Sequence, residues 1–235
     1  MDRRMMFPPL WLDLRAMGWN FSFPLVAHLG MVLYLYFGQG GRVGMLTAET
    51  ILKTVGLWSP LLITFWIVAL YQDWVESDGK ETLLALPYKN WVFGIGRVLR
   101  TTALYGLFVW GVARLLFLFS PDRGVSPVVW VMLATSILFF AALAFFAVAL
   151  TRRLVYTYLL VAVFSLGEGV RVYASSLRVG YSVLSHSTVS FNPFQTVWPL
   201  PGTSPLRVTL ILFVAALLLL FLGQLLVNRR EYLLG

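Results

Sequence analysis

Five runs of this chain are almost free of charge and close to or beyond the roughly 18 apolar residues that a membrane-spanning helix needs. They are Phe21 to Phe37, Val55 to Tyr71, Thr101 to Ser120, Val125 to Leu150 and Val208 to Val227. No water-soluble fold hides that many such runs. With 59% hydrophobic and 12% charged residues, against roughly 25% charged in an average globular domain, no long polar stretch is left to build a separate soluble unit. The expected fold is a single all-α membrane domain over residues 1–235.

A sixth run, Leu154 to Gly167, is shorter and meets Glu168 and Arg171 before Ala174. Charge placement decides how to count it. With six spans, eleven of the eighteen Lys and Arg side chains fall on the side that holds both termini, six fall on the other, and Arg114 is left within a span. Basic residues resist translocation, so this bias favours six helices with both termini cytoplasmic. The expected spans are about 21–38, 51–71, 92–119, 125–150, 154–174 and 206–227, in the plasma (inner) membrane. The net charge of +8 then reflects cytoplasmic loops rather than a nucleic-acid surface.

Ahead of the first span, Leu10, Trp11, Leu14 and Met17 fall on one helical stripe, with Asp13 and Arg15 off it. That pattern predicts an amphipathic helix over residues 8–19, lying in the membrane interface. The start lacks the short apolar core and small-residue site of a cleaved signal peptide. The stretch before the last span, Ser175 to Pro205, is rich in serine and then in proline and aromatics, and is too long for a plain connection. It is expected to be an outer helical or re-entrant segment.

Catalytic signatures are missing. The Gly-rich Gly38-Gln-Gly-Gly-Arg-Val-Gly44 lacks the Lys-Ser/Thr end of a nucleotide-binding loop, and there is no nucleophile elbow or zinc helix. With no cysteine and two histidines, thiol chemistry and Cys-ligated metals are excluded. No metal site and no cofactor of the chain's own are expected. Candidates for a translocation pathway are the ionisable and hydroxyl groups within the spans: His28, Arg114, Tyr158, Ser165, Glu168 and Arg171. Such groups are costly in hydrocarbon and turn inward or pair. Glu168 and Arg171 stand three apart and can pair with each other. Arg114 lies toward the outer leaflet, where it can snorkel or face a cavity. His28 can take up protons or bond across helices.

The segment from Gln72 to Arg100 is unlike its surroundings, holding four of the ten acids and four of the eighteen bases between the second and third spans. Within it, Glu76-Ser-Asp-Gly-Lys-Glu-Thr-Leu-Leu-Ala-Leu-Pro87 forms a short helix-prone run stopped by proline. The layout of the whole chain and this segment together resemble the permease subunits of ABC-2 type transporters. Those permeases commonly carry an acidic residue, a Gly, Glu-x-Leu-Leu-x-x-Pro and a base about ten residues on. Glu76, Gly79, Glu81, Leu83, Leu84 and Pro87 match, with Arg97 near the position of the base. Two departures are that Gly79 stands two residues before Glu81 rather than three, and that Lys80 replaces a small hydroxyl residue.

The resemblance implies a cytoplasmic coupling helix centred on Lys80 to Leu86 that rests on a separate ATP-binding cassette ATPase, which holds the ATP and Mg. It also implies pairing with a second permease, in a homodimer or heterodimer. The chain is then a non-catalytic part of an exporter whose aromatic content suits a lipid, drug or peptide. Two other readings stay open: a membrane-embedded enzyme using Glu168, His186 or His28, and a secondary transporter, although the two halves show no internal repeat.

Overall fold

The computed structural model describes residues 10–38, 47–75, 90–120, 127–163 and 205–228. Every element among them is helical. In chain order these are α1 (Leu10–Met17), a 3-10 turn (Gly18–Phe21), α2 (Ser22–Gly38), α3 (Ala48–Leu70), α4 (Gln72–Val75), α5 (Asn90–Phe93), α6 (Ile95–Phe117), α7 (Pro127–Thr151), α8 (Leu154–Val163) and α9 (Pro205–Asn228). Among the described residues, four stretches are long and apolar enough to cross a membrane, Gly18–Phe37, Trp91–Phe117, Pro127–Thr151 and Leu206–Asn228. The stretch Thr54–Leu70 of α3 and the ten-residue helix Leu154–Val163 are also apolar.

The helix directions follow from which ends touch. Asn20, ahead of α2, bonds to Gln72 after α3, and Tyr71 bonds to the backbone just before α6. Near the end of α9, Gln224 bonds to the start of α6, and the Tyr71 ring meets Phe145 in the second half of α7. At the other end Tyr36 of α2 meets Phe119, and Phe117 meets Trp130 early in α7. Helices α2, α6 and α8 therefore run away from the end that holds Asp13, and α3, α7 and α9 run toward it. Segment 76–89 is flanked on both sides by chain at the Asp13 end.

Helix α7 is the centre. It is apolar on every face, and its small residues Ala141, Ala142, Ala144 and Ala147 are buried. Its main neighbours are α9 and α3. Lipid is as apolar as leucine, so helix association here depends on close van der Waals approach, which small residues permit. Gly223 of α9 shows the consequence: a Cβ there would stand 2.7 Å from the Phe145 ring. The far side of α9 exposes Leu210, Leu217, Leu218 and Phe221, and α2 exposes Val26, Leu29 and Phe37. Rows of bulky apolar side chains of this kind suit contact with hydrocarbon.

Helix α1 departs from the sequence reading in one respect. The sequence reading sets Asp13 off the apolar stripe of an interfacial helix, but Asp13 is 1% exposed and turned inward. The reason is that α1 packs on α3, α4 and α6, and α6 offers two guanidinium groups at that point. Trp19, by contrast, is 93% exposed, the placement of an indole at a membrane interface.

The corner between α7 and α8 is built by side-chain bonds. Arg152 adopts φ 52° and its amide bonds back to the Val148 carbonyl at 3.0 Å. The hydroxyls of Thr151 and Thr157 bond to each other at 2.9 Å across the turn. A left-handed conformation costs a non-glycine residue roughly 1 kcal/mol. Arg152→Gly is therefore expected to stabilise the protein by about 0.5–1 kcal/mol, seen as a raised melting midpoint in detergent; a lowered midpoint would show that the Arg152 side chain outweighs its backbone.

Candidate functional site

Between α2, α3 and α8 lies a cleft of about 1050 Å³. Five aromatic side chains, Phe23, Tyr34, Trp58, Phe65 and Tyr158, form much of its wall, and among the described residues no charged side chain lines it. Its hydroxyls come from Thr54, Thr64 and the two tyrosines. The Phe65 and Tyr158 rings sit 5.4 Å apart, so α3 and α8 close one side together. On the α2 side a Cβ added at Gly30 would meet nothing within 4 Å. Ligand pockets of about 300–1,000 Å³ hold drug-sized molecules, and an apolar wall with a few hydroxyls suits an uncharged or amphipathic one.

Of the pathway candidates, only Tyr158 lines this cleft among the described residues. His28 is 1% exposed and points to the α3–α6 side. Its Nδ1 lies 2.7 Å from the Pro24 carbonyl, which can only accept, so Nδ1 carries a proton. Tyr105 donates its hydroxyl to the Ser59 carbonyl at 2.9 Å. In the neutral ring, Nε2 then accepts from the Ser59 hydroxyl at 3.1 Å. His28 thus bonds across helices, and the tie joins α2, α3 and α6.

Ser59 and His28 have the spacing of a nucleophile and its base. At 0% and 1% exposure, however, neither opens onto the cleft or the surface, and the pair acts as a helix–helix tie. Arg114 is exposed in the last turn of α6, where a cation complements the helix dipole. Its guanidinium lies 5.3 Å from the Trp110 ring and 5.9 Å from the Trp130 ring. That is an interfacial aromatic clasp, away from the cleft. Ser165, Glu168 and Arg171, and the segment residues Glu76, Gly79, Lys80, Glu81, Leu83, Leu84 and Pro87, lie outside the described residues.

Among the described residues, the densest polar structure is at the Asp13 end. Arg97 Nε donates to Asp13 Oδ1 at 2.7 Å and Arg100 Nη2 donates to Asp13 Oδ2 at 2.9 Å. Each carboxylate oxygen serves one guanidinium, and charge-assisted bonds of this kind are the strong ones. The Arg97 guanidinium also lies 5.7 Å from the Tyr71 ring centroid. Tyr71 in turn donates to the carbonyls of Phe93 and Gly94 at 2.9 and 3.0 Å. Gln224 Oε1 accepts from the Ile95 amide at 2.9 Å, and Asn20 donates to Gln72 at 3.1 Å. Both borders of segment 76–89 are thereby pinned to the bundle.

The sequence reading missed Asp13 as a site residue. The available signal was an acid inside an apolar helix together with Arg97 and Arg100, three apart and so on one helix face at the start of a span. Among the described residues no three His, Asp or Glu side chains come together to hold a metal. No protein-family model, no curated protein and no solved structure matches this chain. Its class rests on its own features: it is a helical, membrane-embedded protein with four candidate spans among the described residues.

Proposed function

We propose that the chain is the six-span permease subunit of an ATP-driven transporter of the ABC-2 type. It works in the plasma (inner) membrane with both termini cytoplasmic, as one of two permease subunits joined to two separate ATPase subunits that bind ATP and Mg. Segment 76–89 meets the ATPase through Glu76, Gly79, Lys80, Glu81, Leu83, Leu84 and Pro87, and the substrate is hydrophobic or amphipathic. The protein exports that substrate by alternating access.

The observation that carries this reading is the set of ties around segment 76–89. A motor pushing on a loop moves spans only if the loop's borders are rigidly attached to them. Here the near border is attached through Gln72 and Tyr71, and the far border through Gly94, Ile95, Arg97 and Arg100. The attachments reach α1, α3, α6 and α9, so a push at 76–89 is distributed over much of the bundle. The uncharged aromatic cleft supports the substrate class.

Purification from the native membrane is expected to bring down an ATPase whose activity rises in the complex. Deleting Lys80 to Leu86, or replacing Glu81, is expected to abolish that stimulation while the permease still folds. Tyr158→Ala is expected to leave ATPase association intact and weaken substrate binding roughly tenfold, the equivalent of about 1.4 kcal/mol. Undiminished association and transport after the deletion would defeat the reading.

A further inference from the structure

Arg114 stands three residues before the end of the span Trp91–Phe117, about 5 Å along the helix axis. The 27 residues of that span reach about 40 Å, more than the roughly 30 Å of a hydrocarbon core, so its last turn lies at headgroup depth. Because α6 runs away from the Asp13 end, this is the opposite face of the membrane. The Arg114 side chain is exposed, and its guanidinium lies over the Trp110 and Trp130 rings at 5.3 and 5.9 Å, both within reach of a cation–π contact. Ring faces attract the charge but give the N–H groups no oxygen to bond. Among the described residues Arg114 has neither a hydrogen-bond acceptor nor a carboxylate, and the ion pairs found there belong to Arg97 and Arg100.

A guanidinium presents its donors in a planar fork that matches the oxygens of a phosphate. Two rings already restrain this one, so an anion that binds it costs little further side-chain freedom. The unbalanced charge favours a headgroup of net negative charge, since a zwitterionic headgroup carries its own cation, which competes for the same phosphate. One turn deeper, the exposed side chains are small on both helices. Gly111 lies three residues before Arg114 on the same face of α6, is exposed, and a Cβ there would meet nothing within 4 Å. Ala134, four residues after Trp130 on α7, is exposed as well. Leu107 and Val131, both exposed, continue the apolar surface. An anchor for a phosphate above and room for a chain below suit a lipid better than a free ion.

We propose that Arg114, clasped by Trp110 and Trp130, anchors an anionic phospholipid at the membrane face opposite the Asp13 end. Its guanidinium takes the headgroup phosphate, and one acyl chain lies along Gly111 and Ala134. The site shares no lining residue with the cleft between α2, α3 and α8 and needs no ATPase, so it stands or falls apart from the permease reading.

The test uses the full chain in detergent, titrated with phosphatidylglycerol or phosphatidylcholine and read by native mass spectrometry, which counts the lipids kept by each chain. Arg114→Gln is expected to keep one phosphatidylglycerol fewer than the wild type, its affinity at that site falling about tenfold, with little change for phosphatidylcholine. Arg114→Lys retains the charge without the fork and is expected to fall between the two. Gly111→Leu leaves the anchor untouched and fills the path of the chain, and a loss of about threefold is expected. Soluble glycerol 3-phosphate, a headgroup without chains, is expected to leave the bound lipid in place. Displacement by it, or Gly111→Leu without effect, would reduce the site to one for a free ion and overturn the lipid assignment. Equal retention of phosphatidylglycerol by the wild type and Arg114→Gln would overturn the site itself. Both positions are exposed, so the variants are expected to melt no lower than the wild type; if Arg114→Gln does, the Arg114→Lys and Gly111→Leu titrations decide.

Discussion

Asp13→Ala is expected to destabilise the protein by about 3–5 kcal/mol, the usual consequence of removing one partner from a buried ion pair. The reason is asymmetric. Asp13 is 1% exposed and is the acceptor of both bonds, so its removal leaves two guanidinium groups facing each other with no anion between them. Arg97→Gln removes less, because Asp13 keeps Arg100 at 2.9 Å, and about half the effect is expected. The combination Asp13→Leu, Arg97→Met and Arg100→Met removes all the charges at once and is expected to recover most of the stability, since replacing a whole buried charge cluster by apolar groups is often neutral. Thermal melting of the detergent-solubilised protein, followed by size-exclusion, reads all three. If the triple variant melts as low as Asp13→Ala, then packing around α1 rather than charge pairing sets the stability of this end. On the permease reading the triple variant also separates folding from coupling: it is expected to fold and to transport poorly, because α1 no longer follows α6.

How much of this was visible beforehand depends on the range of the interaction. Long apolar runs are local properties of the chain, and the helices α7 and α9 follow from them directly. Arg114 beside Trp110 is also local, one helical turn apart, although Trp130 is not. The His28 tie was half legible: a lone imidazole in an apolar run seeks a partner across helices, but nothing in the spacing singles out Ser59, 31 residues on. The Asp13 clasp spans 84 residues to Arg97, and its direction contradicts the rule that charges lie off the apolar stripe. That rule describes a helix resting on lipid. It fails for a helix resting on protein that supplies counter-charges.

Gln224 was harder still. A lone amide in an apolar span is visible as a polar residue, but its partner is a backbone N–H, and backbone donors leave no mark in a side-chain pattern. Of the pathway candidates among the described residues, His28, Arg114 and Tyr158 do not share one site, for a related reason. Ionisability selects residues that need a partner, and His28 and Arg114 found theirs in the helix packing. Beside Tyr158, the cleft is lined by residues such as Phe65 and Trp58, which read in the sequence as ordinary apolar span.

Trp66→Ala is the second large effect expected, at about 3–5 kcal/mol for the cavity left by a buried indole. Trp66 is 1% exposed, stacks on Phe21 at 4.9 Å and meets Tyr105 edge-on at 5.2 Å. Its indole N–H donates to the Phe21 carbonyl at 2.9 Å, and Phe21 closes the 3-10 turn that joins α1 to α2. Trp66→Phe keeps much of the volume and loses that bond, and about 1 kcal/mol is expected, in line with polar ties between membrane helices. Trp66 and Asp13 hold the same stretch of chain from its two ends, so their effects should not add. Once Asp13→Ala has released α1, the turn can follow the shrunken side chain at residue 66 and part of the cavity collapses. The double variant is expected to fall short of the sum of the singles by at least about 0.5 kcal/mol, the usual scale for coupled sites. Strict additivity in the melting data would mean that the turn Gly18–Phe21 isolates α1 from the bundle, and a push received by α1 would then stop there.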